Sequence, residues 1–197
     1  NMNRIKTVCV YCGSGPGTNP RFVEAAHGLG KIFAENNIRL VYGGGSVGLM
    51  GVLADAVLAA GGEAIGVIPD ALQALEVDHP RLTALHVVRT MHERKALMAE
   101  LADGFIAMPG GIGTFEELFE VWTWAQLGYH NKPCGLLDVN GFYHGMAGFI
   151  DHVVAEGFLK PAQREMLLVD DKPERLLDRM LGYHETPHDK WISIDDL

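Results

Sequence analysis

Short runs rich in β-branched residues alternate along this chain with longer stretches in which apolar residues return every three or four positions. The short runs, bounded by Gly, Pro and polar clusters, read as strands over residues 7–12, 39–42, 63–68, 85–88, 104–108 and 133–137. The amphipathic stretches read as helices over 21–36, 49–60, 91–101, 114–127 and 143–156, with shorter ones at 161–166 and 172–180. Such alternation marks a parallel sheet, because each parallel crossover must travel back over one face and a helix is the compact way to do so. The expected fold class is α/β, a doubly wound parallel sheet with helices on both faces. No repeat or linker interrupts the pattern, so one domain is expected over 1–182, with a tail over 183–197.

The glycines fall where this pattern turns from strand to helix. Gly13-Ser-Gly15-Pro-Gly17, Gly43-Gly-Gly-Ser-Val-Gly48 and Gly110-Gly-Ile-Gly113 each follow an expected strand and precede an expected helix. All three turns therefore belong to the carboxyl edge of the sheet, where helix N-termini offer unpaired N–H groups and a positive dipole end. A phosphorylated ligand is the natural inference. The Gly43–Gly48 turn also satisfies G-x-G-x-x-G, with Asp70 further on as the acidic residue. The dinucleotide fingerprint belongs to the first strand of its unit, however, and Pro69 breaks the run before Asp70. A glycine turn shaped for close backbone approach to another ligand is the better reading.

Composition narrows the classes. With 48% hydrophobic and 21% charged residues the chain is globular, and no apolar run is long enough for a membrane span. The apolar stretch after Lys6 is too short for a signal peptide, so a cytoplasmic protein is expected; Asn1, ahead of Met2, is set aside as foreign to the fold. A net charge of −9 disfavours nucleic acid as a partner. Cys9, Cys12 and Cys134 read as reduced thiols, and the Cys9–Cys12 spacing on a strand sends the two side chains to opposite faces. His184-Glu-Thr-Pro-His188 matches a zinc-protease motif, but Pro187 is incompatible with the helix that motif requires, so no metal is expected.

Two segments bear chemistry. In Thr90-Met-His-Glu-Arg-Lys95, Thr90 and Glu93 form a capping box that fixes the helix start. Met91, Leu97, Met98 and Leu101 then form the apolar stripe and Arg94 falls in its middle, pointing inward as an internal ion pair or a ligand contact. Lys95 lies on the flank, where a solvated face is the ordinary reading. In Met108-Pro-Gly-Gly-Ile-Gly-Thr-Phe-Glu-Glu117, Thr114 stands where it could cap a helix whose first turn carries Glu116 and Glu117. Thr114 and Glu117 have capping-box spacing, so from these residues alone Glu117 is as plausibly a cap as a catalyst.

Pro109-Gly-Gly-Ile-Gly-Thr-Phe-Glu-Glu117 resembles the P-G-G-x-G-T-x-x-E signature of the Lonely Guy phosphoribohydrolases. The resemblance runs from about residue 8 to 168 and takes in Tyr11-Cys-Gly-Ser14, Tyr42-Gly-Gly-Gly-Ser-Val-Gly-Leu-Met-Gly51, Met91-His-Glu-Arg-Lys95 and Thr123-Trp-Ala-Gln-Leu-Gly128. It implies a Rossmann-like homodimer with active sites near the subunit interface and no cofactor. The implied reaction is hydrolysis of the N-glycosidic bond of AMP or an N6-modified cytokinin nucleotide to free base and ribose 5-phosphate. Carried over by position, Arg94 and Glu117 are the essential pair, and Gly110, Gly111, Gly113 and Thr114 hold the 5′-phosphate. Gly43, Gly44 and Gly45 line the same cleft. Lys95, Glu116, Thr123 and Glu76 contact the nucleotide, and Met91 and Ser14 join the binding set from their matched motifs.

A carboxylate near the anomeric carbon can stabilise oxocarbenium charge and activate water, which is the role expected of Glu117. An older description of such sequences as lysine decarboxylases does not fit, since no Lys stands in Schiff-base context. The competing class is a non-catalytic nucleotide or molybdenum-cofactor carrier, which has no need of an inward Arg with that Glu. Trp122 and Trp124, on different faces of one expected helix, support the dimer.

Overall fold

The computed structural model describes residues 5–75 and 78–184. In chain order the elements are β1 (Thr7–Tyr11), α1 (Pro20–Glu35), β2 (Arg39–Tyr42), α2 (Gly48–Ala59), β3 (Ala64–Pro69), α3 (Asp70–Gln73), β4 (Ala84–Val88) and α4 (Met91–Leu101). There follow β5 (Gly104–Ala107), α5 (Ile112–Leu127), β6 (Cys134–Leu137), α6 (His144–Ala155), α7 (Pro161–Glu165), β7 (Leu167–Asp170) and α8 (Pro173–Leu181). All six expected strands form. β7 and the single turn of α3 were not anticipated; β7 lies at the sheet edge and follows α7 after one residue, with no Gly or Pro to mark where the helix ends.

The strands make one parallel sheet in the order β4-β3-β2-β1-β5-β6-β7. From β1 the chain winds outward through β2 and β3 to β4, then returns through α4 to place β5 on the other side of β1. Cys9 pairs with Val41 on one side and Phe105 on the other. The seam between β1 and β5 is thus the switch point, where loops diverge and leave a crevice at the carboxyl edge.

Strand alternation feeds two cores. Val8 and Val10 face α1, α2 and α8, while Cys9 and Tyr11 face α4, α5 and α6. Cys12 packs against the first core and Cys9 lies in the second, as the strand reading required, and all three cysteines are free thiols. Among the described residues no helix is long and apolar enough to cross a membrane. The His184–His188 motif lies outside the described residues except for His184, as do Glu76 and most of the expected tail.

Candidate active site

Backbone bonds lock the three glycine turns together at the switch point. Gly13 N–H donates to the Pro109 carbonyl at 3.0 Å, and Leu49 N–H, at the start of α2, donates to the Gly13 carbonyl at 3.2 Å. Between the turns after β1 and β5 opens a cleft of about 310 Å³, lined by Ser14, Gly110 and Gly111 and walled by Phe22, Leu49 and Phe142. Ser14, Gly110 and Gly111, expected at the ligand, therefore share one cavity.

The helix N-termini around this edge differ in how they are finished. At α1, Asn19 accepts from Arg21 N–H at 3.0 Å, and Pro20 occupies the first helical position, where its missing N–H costs nothing. At α2, the Gly13 and Gly15 carbonyls take up Leu49 N–H. At α5 the cap residue is Gly111 and no side chain caps it. The first helical N–H groups, of Ile112, Gly113 and Thr114, reach no described acceptor and remain open beside the cleft. Such a terminus suits an anion.

This corrects the expected helix start. Thr114 is not the cap but the third helical residue; it is buried, and its side chain rests on Gly110, where any Cβ would collide with it. Glu117 is consequently free of capping duty. The Thr90 cap does form: Glu93 N–H donates to Thr90 Oγ1 at 3.1 Å, while Glu93 Oε2 accepts from Arg89 N–H at 2.7 Å, one residue earlier than in the standard box.

That cap sets the register that turns Arg94 inward, and α4 lays it across the ends of β2 and β3. Arg94 is 8% exposed. Its Nε donates to the Val67 carbonyl at 2.9 Å and its Nη2 to the Gly43 carbonyl at 2.7 Å. A Cβ at Gly43 would overlap the guanidinium, so any larger residue there would displace Arg94 from its place. Neither carbonyl bond neutralises the cation, and the carboxylate in its field is Glu117. No described residue donates a hydrogen bond to Glu117. Burial pushes its carboxyl up to about 7, against the opposing pull of Arg94 and with a further push from Glu116.

Lys95 does not lie on a solvated face. Its ammonium sits 2.7 Å from Glu116 Oε1 and 2.6 Å from Glu120 Oε2, tying α4 to α5. These bonds hold the Lys95 pKa above the usual lysine value, and the Lys95 bond brings Glu116 below the usual carboxylate range. Glu120 was not among the expected site residues; the only signal for it was its place one turn after Glu116 on the same face.

The remaining expectations divide. Gly44 and Gly45 lie with Gly43 in the turn after β2, and Gly113 is exposed in the first turn of α5. Met91 is exposed at the start of α4, its Sδ 4.0 Å from Arg94 Nη1. Thr123 lies well along α5, where its hydroxyl donates to the Phe119 carbonyl at 2.6 Å. Trp122 is buried in the chain's own core, with its indole N–H on the Gln163 carbonyl, and Trp124 is half-buried, so the two tryptophans do not argue for a dimer.

A parallel doubly wound sheet with an open helix N-terminus and an Arg–Glu pair at its carboxyl edge is a Rossmann-like ligand-binding architecture. Within that class the chain belongs to the Lonely Guy family, the cytokinin riboside 5′-monophosphate phosphoribohydrolases. A family model described as "possible lysine decarboxylase" matches residues 50–180. The cytokinin riboside 5′-monophosphate phosphoribohydrolase of Rhodococcoides fascians is 53% identical over 165 residues, 83% of each chain. LOG7 of Arabidopsis thaliana, of the same name, is 47% identical over 97% of this chain and 88% of its own. Among solved structures, the molybdenum cofactor carrier protein of Chlamydomonas reinhardtii aligns with a TM-score of 0.70 at 21% identity, over 91% of this chain and all of that one. The molybdenum cofactor binding protein of Rippkaea orientalis aligns at 0.69 and 20%, over 91% and 97%. Those two likenesses establish the fold.

Proposed function

We propose that this chain hydrolyses the N-glycosidic bond of a purine nucleoside 5′-monophosphate, AMP or an N6-modified cytokinin nucleotide, giving the free base and ribose 5-phosphate. The observation that carries this reading is Glu117, poised near neutrality beside Arg94, on the helix whose N-terminus is left open to an anion. Glu117 follows Gly111 by six residues, about 9 Å along the axis, and helical side chains lean back toward the N-terminus. A phosphate on the Ile112–Thr114 N–H groups thus brings the ribose to this carboxylate.

As the C1′–N bond breaks, positive charge grows on the ribose, and ionised Glu117 opposes it. Water adds its oxygen to C1′ and gives one proton to Glu117, which a carboxyl with a pKa about 7 can take and release at neutral pH. In the net reaction that proton balances the one the departing base acquires. Arg94 keeps Glu117 ionised more of the time and adds positive charge at the turn after β2. Schiff-base chemistry finds no support: Lys95 is held protonated by two carboxylates, and Lys132, ahead of β6, is at the opposite edge of the sheet with its ammonium on the Ala99 carbonyl.

The site is read as completed by a second copy of the chain. Support comes from exposed apolar side chains at the first turns of α4 and α5: Met91, and Ile112, which is 83% exposed and directly follows Gly111 of the cleft. Free thiols at Cys9, Cys12 and Cys134 fit a cytoplasmic enzyme. Incubation with AMP and with an N6-prenylated AMP, followed by chromatography for free base and ribose 5-phosphate, tests the reading. Stoichiometric release of both products is expected; a folded protein that binds AMP and releases neither is a carrier.

A further inference from the structure

Three consecutive carbonyls of the turn after β2 each accept from a different donor. Gly43 holds Arg94 Nη2 at 2.7 Å, Gly44 takes His79 N–H at 3.0 Å, and Gly45 takes the Tyr42 hydroxyl at 2.8 Å. The middle donor comes from the connection between α3 and β4, which also pairs Asp78 with Gly45 as an antiparallel bridge. That connection is tied down by a buried imidazole. The His79 side chain is 3% exposed and runs to α2, where Nε2 lies 2.8 Å from Asp55 Oδ1.

Its other ring nitrogen, Nδ1, accepts from Arg81 N–H at 3.2 Å. A ring nitrogen that accepts carries no proton, so the hydrogen-bond pattern assigns the proton to Nε2, which donates to Asp55. Asp55 Oδ1 also accepts from Arg81 Nη2 at 3.0 Å, and Gln73 Nε2 donates to Asp78 Oδ2 at 3.1 Å. Polar bonds thus run from α2 through His79 to Gly44, and one peptide away from Gly43 to Arg94.

This arrangement answers a physical problem. A run of three glycines has the largest backbone freedom a chain can have, yet the Gly43 carbonyl is one of two that fix the Arg94 guanidinium. We propose that Asp55 and His79 are positioning residues: they clamp the 43–45 turn and, through the Gly43 carbonyl, hold Arg94 in place. The catalytic consequence rests on the role given to Arg94 above; the clamp itself does not. Apolar packing at position 79 would fill the space but leave Arg81 N–H without its acceptor and Asp55 held by the Arg81 guanidinium alone, so the bonds rather than the volume select histidine.

The test uses three variants, His79→Ala, His79→Gln and Asp55→Ala, and two readouts. One is the solvent-exchange rate of the Arg94 Nε–H resonance in ¹H–¹⁵N spectra; the other is kcat and KM for AMP. His79→Ala is expected to speed Arg94 Nε–H exchange by about tenfold or more and to lower kcat by a similar factor. His79→Gln, which keeps a donor toward Asp55, is expected to recover most of both. Asp55 is 56% exposed, so Asp55→Ala leaves the core intact and carries the test even if His79→Ala does not fold. It is expected to speed the same exchange. Wild-type Arg94 exchange in Asp55→Ala, or in folded His79→Ala, overturns the proposal, as does a loss of melting temperature with unchanged exchange and kcat. If the wild-type protein releases no base from AMP, the proposed reaction fails while the exchange rate still decides the clamp.

Discussion

Lys95 Nζ stands 2.6 Å from Glu120 Oε2 while also holding Glu116, so one ammonium on α4 answers two carboxylates on α5. Glu117, on the same helix, feels Lys95 and Arg94 as attraction and Glu116 and Glu120 as repulsion. The near-neutral pKa of Glu117 is therefore set by burial and trimmed by four neighbouring charges.

The first prediction concerns pH. If the ionised form of Glu117 is the active one, kcat/KM for AMP rises about tenfold per pH unit below pH 7 and levels off above it, because the raised carboxyl ionises at about 7. Glu117→Gln should flatten that limb and reduce turnover on the order of a hundredfold or more. A Glu117→Gln enzyme with the wild-type profile would remove Glu117 from the mechanism.

The neighbouring charges should move the same limb in opposite directions. Lys95→Met withdraws an attraction and unmasks Glu116 and Glu120, so the apparent pKa climbs, by roughly half a unit to one unit. Glu120→Gln removes a repulsion and should lower it by a smaller amount. The measurement is the pH dependence of kcat/KM for the three proteins; shifts of the same sign in both variants contradict the assignment.

Stability should show the reverse face of this tuning. The folded-state pKa of Glu117 lies above its unfolded value, so the protonated form favours the fold below about pH 4.5 and that stabilisation is lost as pH rises through about 7. Glu117→Gln, neutral throughout, should therefore melt a few degrees above wild type at pH 8 and level with it at pH 4.5. Calorimetry at the two pH values decides this, and equal melting at both would mean the carboxyl is better solvated than its half-buried position implies.

The 5′-phosphate should be required. Adenosine should be turned over with kcat/KM lower than AMP by about a hundredfold or more, since the open N–H groups of α5 have no other use in the reaction. Gly110→Ala drives a methyl group into Thr114 and disturbs the same helix start, so it should raise KM for AMP by about tenfold or more. Equal turnover of adenosine and AMP would move the anion elsewhere.

Strand–helix alternation made six strands and seven helices legible because each apolar run stands between turn-forming residues and a helical stretch. Leu167–Asp170 follows α7 with no Gly or Pro between them, and only pairing with β6 makes it a strand. Arg94 and Glu117 could be singled out by wheel position and motif, but not their partners: the carbonyls of Val67 and Gly43 are brought to Arg94 from 27 and 51 residues away. Thr114 misled because T-x-x-E is a local pattern, and the glycine turn had already begun the helix two residues earlier. His79 carried no periodic or motif signal; its meaning comes from Asp55, on a helix that the sequence places far from it.

Ile112, Gly113 and Thr114 are the first N–H groups of a sixteen-residue helix that no described side chain completes. Nearby, α1 is capped by Asn19, α4 by Thr90 and α2 by backbone carbonyls; in the proposed reaction α5 would be finished by the anion that arrives. Ligand and fold are then thermodynamically linked: each kilocalorie of phosphate binding is also stability lent to α5 and to the carboxylate it bears. On the proposed function, the first turn of α5 would be tightened by the molecule the enzyme is about to cleave.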